Sequence, residues 1–154
     1  PRLLERAGPQ EGDSGSISGL YTVLVDGDDF NDPLPDTVRS IVDGHINLSR
    51  ELANQGHFPA IEIPTSISRV MLDVADKSHL NLARNIKTLI SVYYENIDIL
   101  QMGSYQPVTD HQLDMAIQLM PQINKFLQQD VKEKASFADS IGGMAAILSK
   151  IQGS

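Results

Sequence analysis

The chain has 154 residues, an apolar share of 41%, no cysteine and a formal charge of −8. That length and apolar share suit about one folded domain, and neither an apolar run of about eighteen residues nor a signal-peptide pattern is present. Without thiols there is no disulfide or thiolate metal site, and an acidic chain lacking a Lys/Arg cluster excludes a general nucleic-acid binder, because phosphate backbones are held by clustered cations. These features predict a globular, cytoplasmic chain with no nucleic-acid partner.

Arg2-Leu3-Leu4-Glu5-Arg6-Ala7-Gly8 reads as the last turns and glycine stop of a helix that starts before Pro1, so a fragment of a longer protein is expected. Residues 8–16 combine Gly, Pro, Asp and Ser without an apolar anchor, the composition of a loop. Ser16 to Val25 predicts a strand, ending in the β-branched and aromatic run Tyr21-Thr22-Val23-Leu24-Val25, as in a parallel strand buried on both faces. Asp26-Gly27-Asp28-Asp29 stops it. Asp32-Pro33 and Pro35-Asp36 open a helix through Val42 that Gly44 closes. His45-Ile46-Asn47-Leu48 predicts the next strand, Ser49 caps a helix from Arg50 to about Gln55 that ends at Gly56, and Ala60-Ile61-Glu62-Ile63 is a short strand stopped by Pro64. This alternation implies parallel strands joined by crossovers, with the rest of the sheet supplied by preceding residues.

From Asp76 the apolar period becomes helical. Leu82, Ile86, Leu89, Tyr93, Ile97 and Leu100 share one face of a single long helix. Thr109-x-x-Gln112 resembles a capping box for a second helix that carries Leu113, Ile117, Met120, Ile123 and Leu127, with a kink expected at Pro121. Ser136-x-x-Asp139 caps a third, with Phe137, Ile141, Met144, Leu148 and Ile151 on one stripe and Gly142-Gly143 weakening its middle. Two unlike parts are expected, 1–75 and 76–154, with no internal repeat.

Several segments, in order, resemble the export ATPases of flagella and type III secretion systems, relatives of the catalytic subunit of rotary ATP synthase. They are Leu3-Leu4-Glu5-Arg6-Ala7-Gly8, Tyr21-Thr22-Val23-Leu24-Val25-Asp26-Gly27-Asp28-Asp29, Asp43-Gly44-His45-Ile46, Gly56-His57-Phe58-Pro59-Ala60-Ile61 and Ser66-Ile67-Ser68-Arg69. Met102-Gly103-Ser104-Tyr105-Gln106 and Phe126-Leu127-x-Gln129-Asp130 extend the likeness and lean toward the flagellar branch. The resemblance implies an α/β fold class: the C-terminal portion of a P-loop, RecA-like, parallel-sheet ATPase domain over 1–75, then a small all-α C-terminal domain over 76–154. It implies a homohexamer that hydrolyses ATP with Mg²⁺ to energise flagellar protein export, cytoplasmic and held at the inner membrane by the export apparatus. Its implied partners are central-stalk and export-apparatus proteins, exported subunits and chaperones. The chain has no G-x-x-x-x-G-K-[ST] loop, so by itself it is expected to be inactive and to bind no cofactor. A virulence-secretion ATPase and a non-enzymatic helical interaction module are the alternative readings.

Arg69 matches the family segment whose arginine reaches the nucleotide of a neighbouring subunit, so the resemblance makes it an arginine finger; its residue type alone equally fits a surface or helix-pairing role. Phe137 falls where related subunits stack an aromatic on adenine, although it also heads an apolar stripe and could anchor a core. Leu24 falls at the opposite wall, with no ring to stack. Asp26, Asp28, Asp29 and Asp32 lack the order of a calcium loop and read as turn and subunit-contact chemistry; no metal site is expected. His45 and His57 are twelve apart without a third zinc ligand and read as packing residues. The loop from Gly103 to Asp110 corresponds to the family's stalk-facing tip, where Tyr105 could serve as a contact.

Overall fold

Residues 77–95 contain neither Gly nor Pro and follow an aspartate suited to capping. They form helix α4, Lys77–Glu95, whose N-cap Asp76 accepts from the His79 backbone N–H at 2.8 Å. The computed structural model describes residues 3–9, 12, 15–25 and 33–150, and the chain divides into two units, Pro1–His45 and Ile46–Ser154.

The first unit holds a 3-10 turn at Leu4–Arg6, strands β1 (Gly8–Pro9) and β2 (Ser16–Ile17), helix α1 (Pro33–Ile41) and strand β3 (Gly44–His45). β1 and β2 pair antiparallel, Gly8 opposite Ile17 and Pro9 opposite Ser16. The long strand expected over 16–25 is therefore only two residues of ladder. Tyr21–Val25 has no strand assignment, and Leu20 and Leu24 are 97% and 90% exposed. A central strand needs neighbours on both edges and cover on both faces, and the described residues of this unit offer neither to that segment. The Asp26, Asp28, Asp29 and Asp32 turn lies outside the described residues.

The second unit adds α2 (Arg50–Asn54), β4 (Ile67–Ser68), α3 (Met71–Val74), α5 (Ile97–Gln101), α6 (His111–Leu127) and α7 (Phe137–Ser149). Ser49 caps α2 by accepting from the Leu52 N–H at 3.2 Å. Gly56, at φ +73°, ends it: the Gly56 N–H donates to Ala53 and the His57 N–H to Leu52, the paired bonds of a Schellman closure that a left-handed residue permits. The segments before and after α2 meet antiparallel at Leu48 and Ile61, flanked by bonds from the Ser49 N–H to Ala60 and the Glu62 N–H to Asn47, both 2.9 Å. The expected parallel arrangement of 45–48 and 60–63 is corrected here, because one five-residue helix is too short for a crossover of a dozen residues or more.

The core is helical. Ile86, Leu89 and Ile90 of α4 pack with Ala116, Leu119, Met120 and Ile123 of α6 and Ile147 of α7, and Ile63, Phe126 and Met144 close around them. Burying each Leu or Ile side chain stabilises by roughly 1.5–3 kcal/mol, so this cluster dominates the unit's stability. The single helix expected to reach Leu100 breaks at Asn96, whose side-chain amide donates to the Val92 carbonyl at 2.9 Å and competes with the helical ladder. The cap of α6 is Asp110 instead of Thr109: its carboxylate accepts from the Gln112 and Leu113 N–H groups, while the Thr109 hydroxyl donates to Gln106. α6 runs on through Pro121, which is exposed, so water can satisfy the Ile117 carbonyl that the proline leaves without a donor.

The Ser136/Asp139 capping box of α7 is complete. Of its expected stripe, Met144 and Leu148 reach the core, Phe137 is exposed and Ile151 lies outside the described residues. The two glycines of α7 differ. A Cβ on Gly143 would stand 2.6 Å from the Phe126 ring, whereas one on Gly142 would meet nothing within 4 Å. Gly143 therefore lets α7 approach α6, and Gly142 only lowers helix propensity. Gly142→Ala should stabilise the chain by about 0.5–1 kcal/mol, and Gly143→Ala should destabilise it by about 1–2 kcal/mol through overpacking. Thermal unfolding followed by circular dichroism checks the pair, and equal shifts of one sign would contradict the packing account.

Candidate nucleotide-facing residues and helical tip

Arg69 sits in the bend between β4 and α3 and is exposed. Short polar side chains hold the segment leading to it. The Ser66 hydroxyl donates to the Glu62 carbonyl at 2.7 Å and accepts from the Asn47 N–H at 3.0 Å, and the Asn47 amide donates to both oxygens of Thr65. Thr65 donates to the Glu62 carboxylate at 2.7 Å, and Lys87 of α4 donates to the Ser66 carbonyl at 3.2 Å. This network ties the turn before Arg69 to the core helix, so a cationic side chain leaves a fixed backbone three residues from a fully bonded serine.

Phe137 is the first residue of α7 and is 73% exposed, so it is no core anchor. Its ring meets that of His79 edge to face, centroids 5.4 Å apart, leaving a face free for another planar group. The hydrogen bonds from the Ser136 hydroxyl and backbone hold the Asp139 carboxyl below the ordinary aspartate range, which fixes the cap under Phe137. Arg69 and Phe137 belong to the second unit and Leu24 to the first; Leu24 is apolar and exposed there.

Phe58 was not singled out by sequence reasoning. It is 56% exposed, precedes a cis peptide bond to Pro59, and its carbonyl accepts from the Gln129 N–H at 2.9 Å. That bond ties it to the 128–136 connection that leads into Phe137, on which Val131 is also fully exposed. The available signal was an aromatic between a helix-ending glycine and a proline, a position where no apolar stripe claims the ring.

At the other end of the helices, Asp114 organises the connection between α5 and α6. One carboxylate oxygen accepts from the Tyr105 hydroxyl at 2.8 Å and the other from the Val108 N–H at 2.9 Å. Tyr105 is thus half-buried, and the large apolar residues presented at the surface are Met102 and Val108, 77% and 90% exposed. Val108 has φ +73°, a costly conformation for a β-branched residue, and its hydrogen bond to Asp114 offsets part of that cost. Partial burial, then the hydrogen bond and charge of Asp114, raise the Tyr105 pKa.

Among the described residues no group of three or more His, Asp or Glu is arranged to hold a metal, and no helix is long and apolar enough to cross a membrane. The groups available here, an arginine and exposed rings, suit a nucleotide's phosphate charge and base and do not suit Mg²⁺, which takes oxygen ligands.

The nucleotide-binding domain of the ATP synthase alpha/beta family matches residues 1–68, and the type III secretion EscN ATPase C-terminal domain matches residues 75–146. The chain is thus of the ATP-synthase-like class, with the C-terminal part of an α/β ATPase domain followed by a helical domain. It is 50% identical over 138 residues to the flagellum-specific ATP synthase of Buchnera aphidicola subsp. Baizongia pistaciae, covering 90% of this chain and 30% of that protein. The assembled ATPase EscN from the enteropathogenic E. coli type III secretion system superposes with TM-score 0.90 at 44% identity, over 96% of this chain and 35% of EscN. EscN in complex with its central stalk EscO gives 0.85 at 42%, over 96% of this chain and 34% of that one. The chain belongs to the family of flagellar and type III secretion export ATPases, and it spans about a third of the length of the curated relatives it matches.

The raised pKa of Tyr105 means that the neutral phenol is the form held by Asp114. Its contribution is complete below the ordinary tyrosine range and is lost as pH rises through the higher folded value. An NMR titration of the Tyr105 ring should place its midpoint above that of a free tyrosine, and Asp114→Asn should bring it down. A midpoint unaffected by Asp114→Asn would refute the clamp.

Proposed function

We propose that this chain is the C-terminal third of an ATPase that works as a homohexamer, hydrolysing ATP to energise flagellar protein export. The observation that carries the reading is Arg69: an exposed guanidinium on a turn anchored by Ser66, Asn47, Glu62 and Lys87, within a chain of this family. A rigidly based arginine can reach across a subunit boundary and stabilise charge on the transferring phosphoryl group, an effect of ~10³–10⁵ in rate in other nucleotide hydrolases. Phe137 supplies a ring face for adenine and Leu24 an apolar wall. Phe58, tied by Gln129 to the loop before Phe137, is a second stacking surface.

The phosphate loop and the Mg²⁺ ligands belong to the rest of the enzyme, so the isolated chain is inactive. The boundary between the ATPase portion and the helical domain falls near residue 75, a reading supported by the ends of the two matched families. In the helical domain the Met102 and Val108 tip faces a central stalk, as the EscN–EscO complex suggests by likeness. Export-apparatus proteins, exported subunits and chaperones are the further partners, and the enzyme works in the cytoplasm, against the inner membrane through that apparatus. A virulence-secretion role is the second reading, favoured by the likeness to EscN.

In the full-length enzyme, Arg69→Ala should lower ATP turnover ~10²-fold or more while mass measurement still finds the hexamer. Unchanged turnover in an intact ring would remove the finger assignment. Phe58→Ala and Phe137→Ala should each raise the KM for ATP about tenfold with smaller change in kcat, since stacking acts on bound nucleotide before and during reaction.

A further inference from the structure

A cleft of ≈ 380 Å³ lies within the second unit, between the α2 region and helices α4 to α6. Its floor is apolar, made by Leu52, Ile63, Ile90, Ile97 and Leu127. It straddles the seam of the two matched families, since Leu52 and Ile63 come from the first and the other three from the second. Clefts of ~300–1,000 Å³ at such seams are where small organic ligands preferentially bind.

The polar groups on its wall have one sign of charge. Glu51 and Glu62 contribute carboxylates, and among the described residues no Lys or Arg lines it. Burial, then the charges of Tyr93, Glu51 and Glu62, raise the pKa of Tyr94 on the same wall, so the field of both glutamates reaches the phenol. His57, 7% exposed, also lines the cleft, and its Nε2 is buried with no hydrogen-bond partner among the described residues. A buried ring nitrogen in that state is destabilising, and a bound polar group that completes its hydrogen bond relieves the cost.

We propose that this cleft is a binding site for a lipophilic cation, an apolar body bearing a protonated amine, separate from the nucleotide. The apolar body occupies the Leu52, Ile90 and Leu127 floor. The ammonium group lies against Glu51, Glu62 and the Tyr94 hydroxyl, on the wall that also carries His57. Anions, nucleotides included, are repelled by the paired carboxylates and find no counter-charge. Because both sides of the family seam touch the ligand, occupancy couples the turn before Arg69, through Glu62 and Thr65, to α4.

The test compares three probes of one chain length on the 154-residue chain: n-octylammonium, 1-octanol and octanoate, below their micellar concentrations. Binding is measured by calorimetry and located by backbone amide shifts at Leu52, His57 and Tyr94. Octylammonium should bind at least about tenfold more tightly than octanoate, with the preference shrinking as salt is added. The Glu51→Gln/Glu62→Gln double variant should lose about tenfold for octylammonium and keep its affinity for octanol, which shows that the cleft remains folded. Equal binding of octanoate, undiminished octylammonium binding by the double variant, no octylammonium binding at all, or amide shifts confined to other surfaces would each overturn the proposal.

Discussion

The buried face of α6 against α4 is the constraint on which the rest of the second unit depends. Leu119 and Ile123 are almost wholly removed from water, and Ala116, one turn before Leu119 on the same buried face, lets the two helices approach. α7 then completes the enclosure, with Gly143 giving the Phe126 ring its place. Ile63 reaches the same core from the segment after α2, so that segment is pinned to the helices by apolar contact. The turn that leads to Arg69 and the helical domain therefore share one hydrophobic foundation.

On that foundation, short polar side chains fix the connections where candidate functional groups stand. Ser66 and Asn47 secure the approach to Arg69, Ser136 with Asp139 secures the helix start that presents Phe137, and Asp114 closes the tip around Val108. In each case short polar side chains satisfy backbone groups that a loop would otherwise leave to water. The consequence is pre-organisation: the cation, the ring and the apolar tip are offered from backbones whose conformations are already determined.

The first unit follows a different logic. Leu3, Ile17, Leu20 and Leu24 are exposed, and its described ladder is two residues long. An apolar run with strand-forming residues acquires a strand only where another edge supplies hydrogen bonds.

The sequence by itself determined what depends on residues within one or two turns of each other. The stripes of α4 and α6, the Ser49 and Ser136 caps and the Gly56 stop were legible, because capping, left-handed closure and amphipathic periodicity act across about four residues. So was Arg69 as a candidate, through the Ser66 to Arg69 segment, although nothing local revealed the Asn47 and Lys87 anchors that hold it. Only the tertiary structure decided the antiparallel meeting of Leu48 and Ile61, the exposure of Phe137, the bond from Gln129 to Phe58 and the gathering of Glu51, His57 and Tyr94 around one cleft. Asn96 and Asp110 show the boundary between the two: each uses a short-range bond, yet the rival local signals, the apolar stripe running on through Ile97 and the Thr109-x-x-Gln112 pattern, pointed elsewhere. Contacts between residues tens of positions apart depend on which faces the core has already claimed, and that ordering exists only in three dimensions.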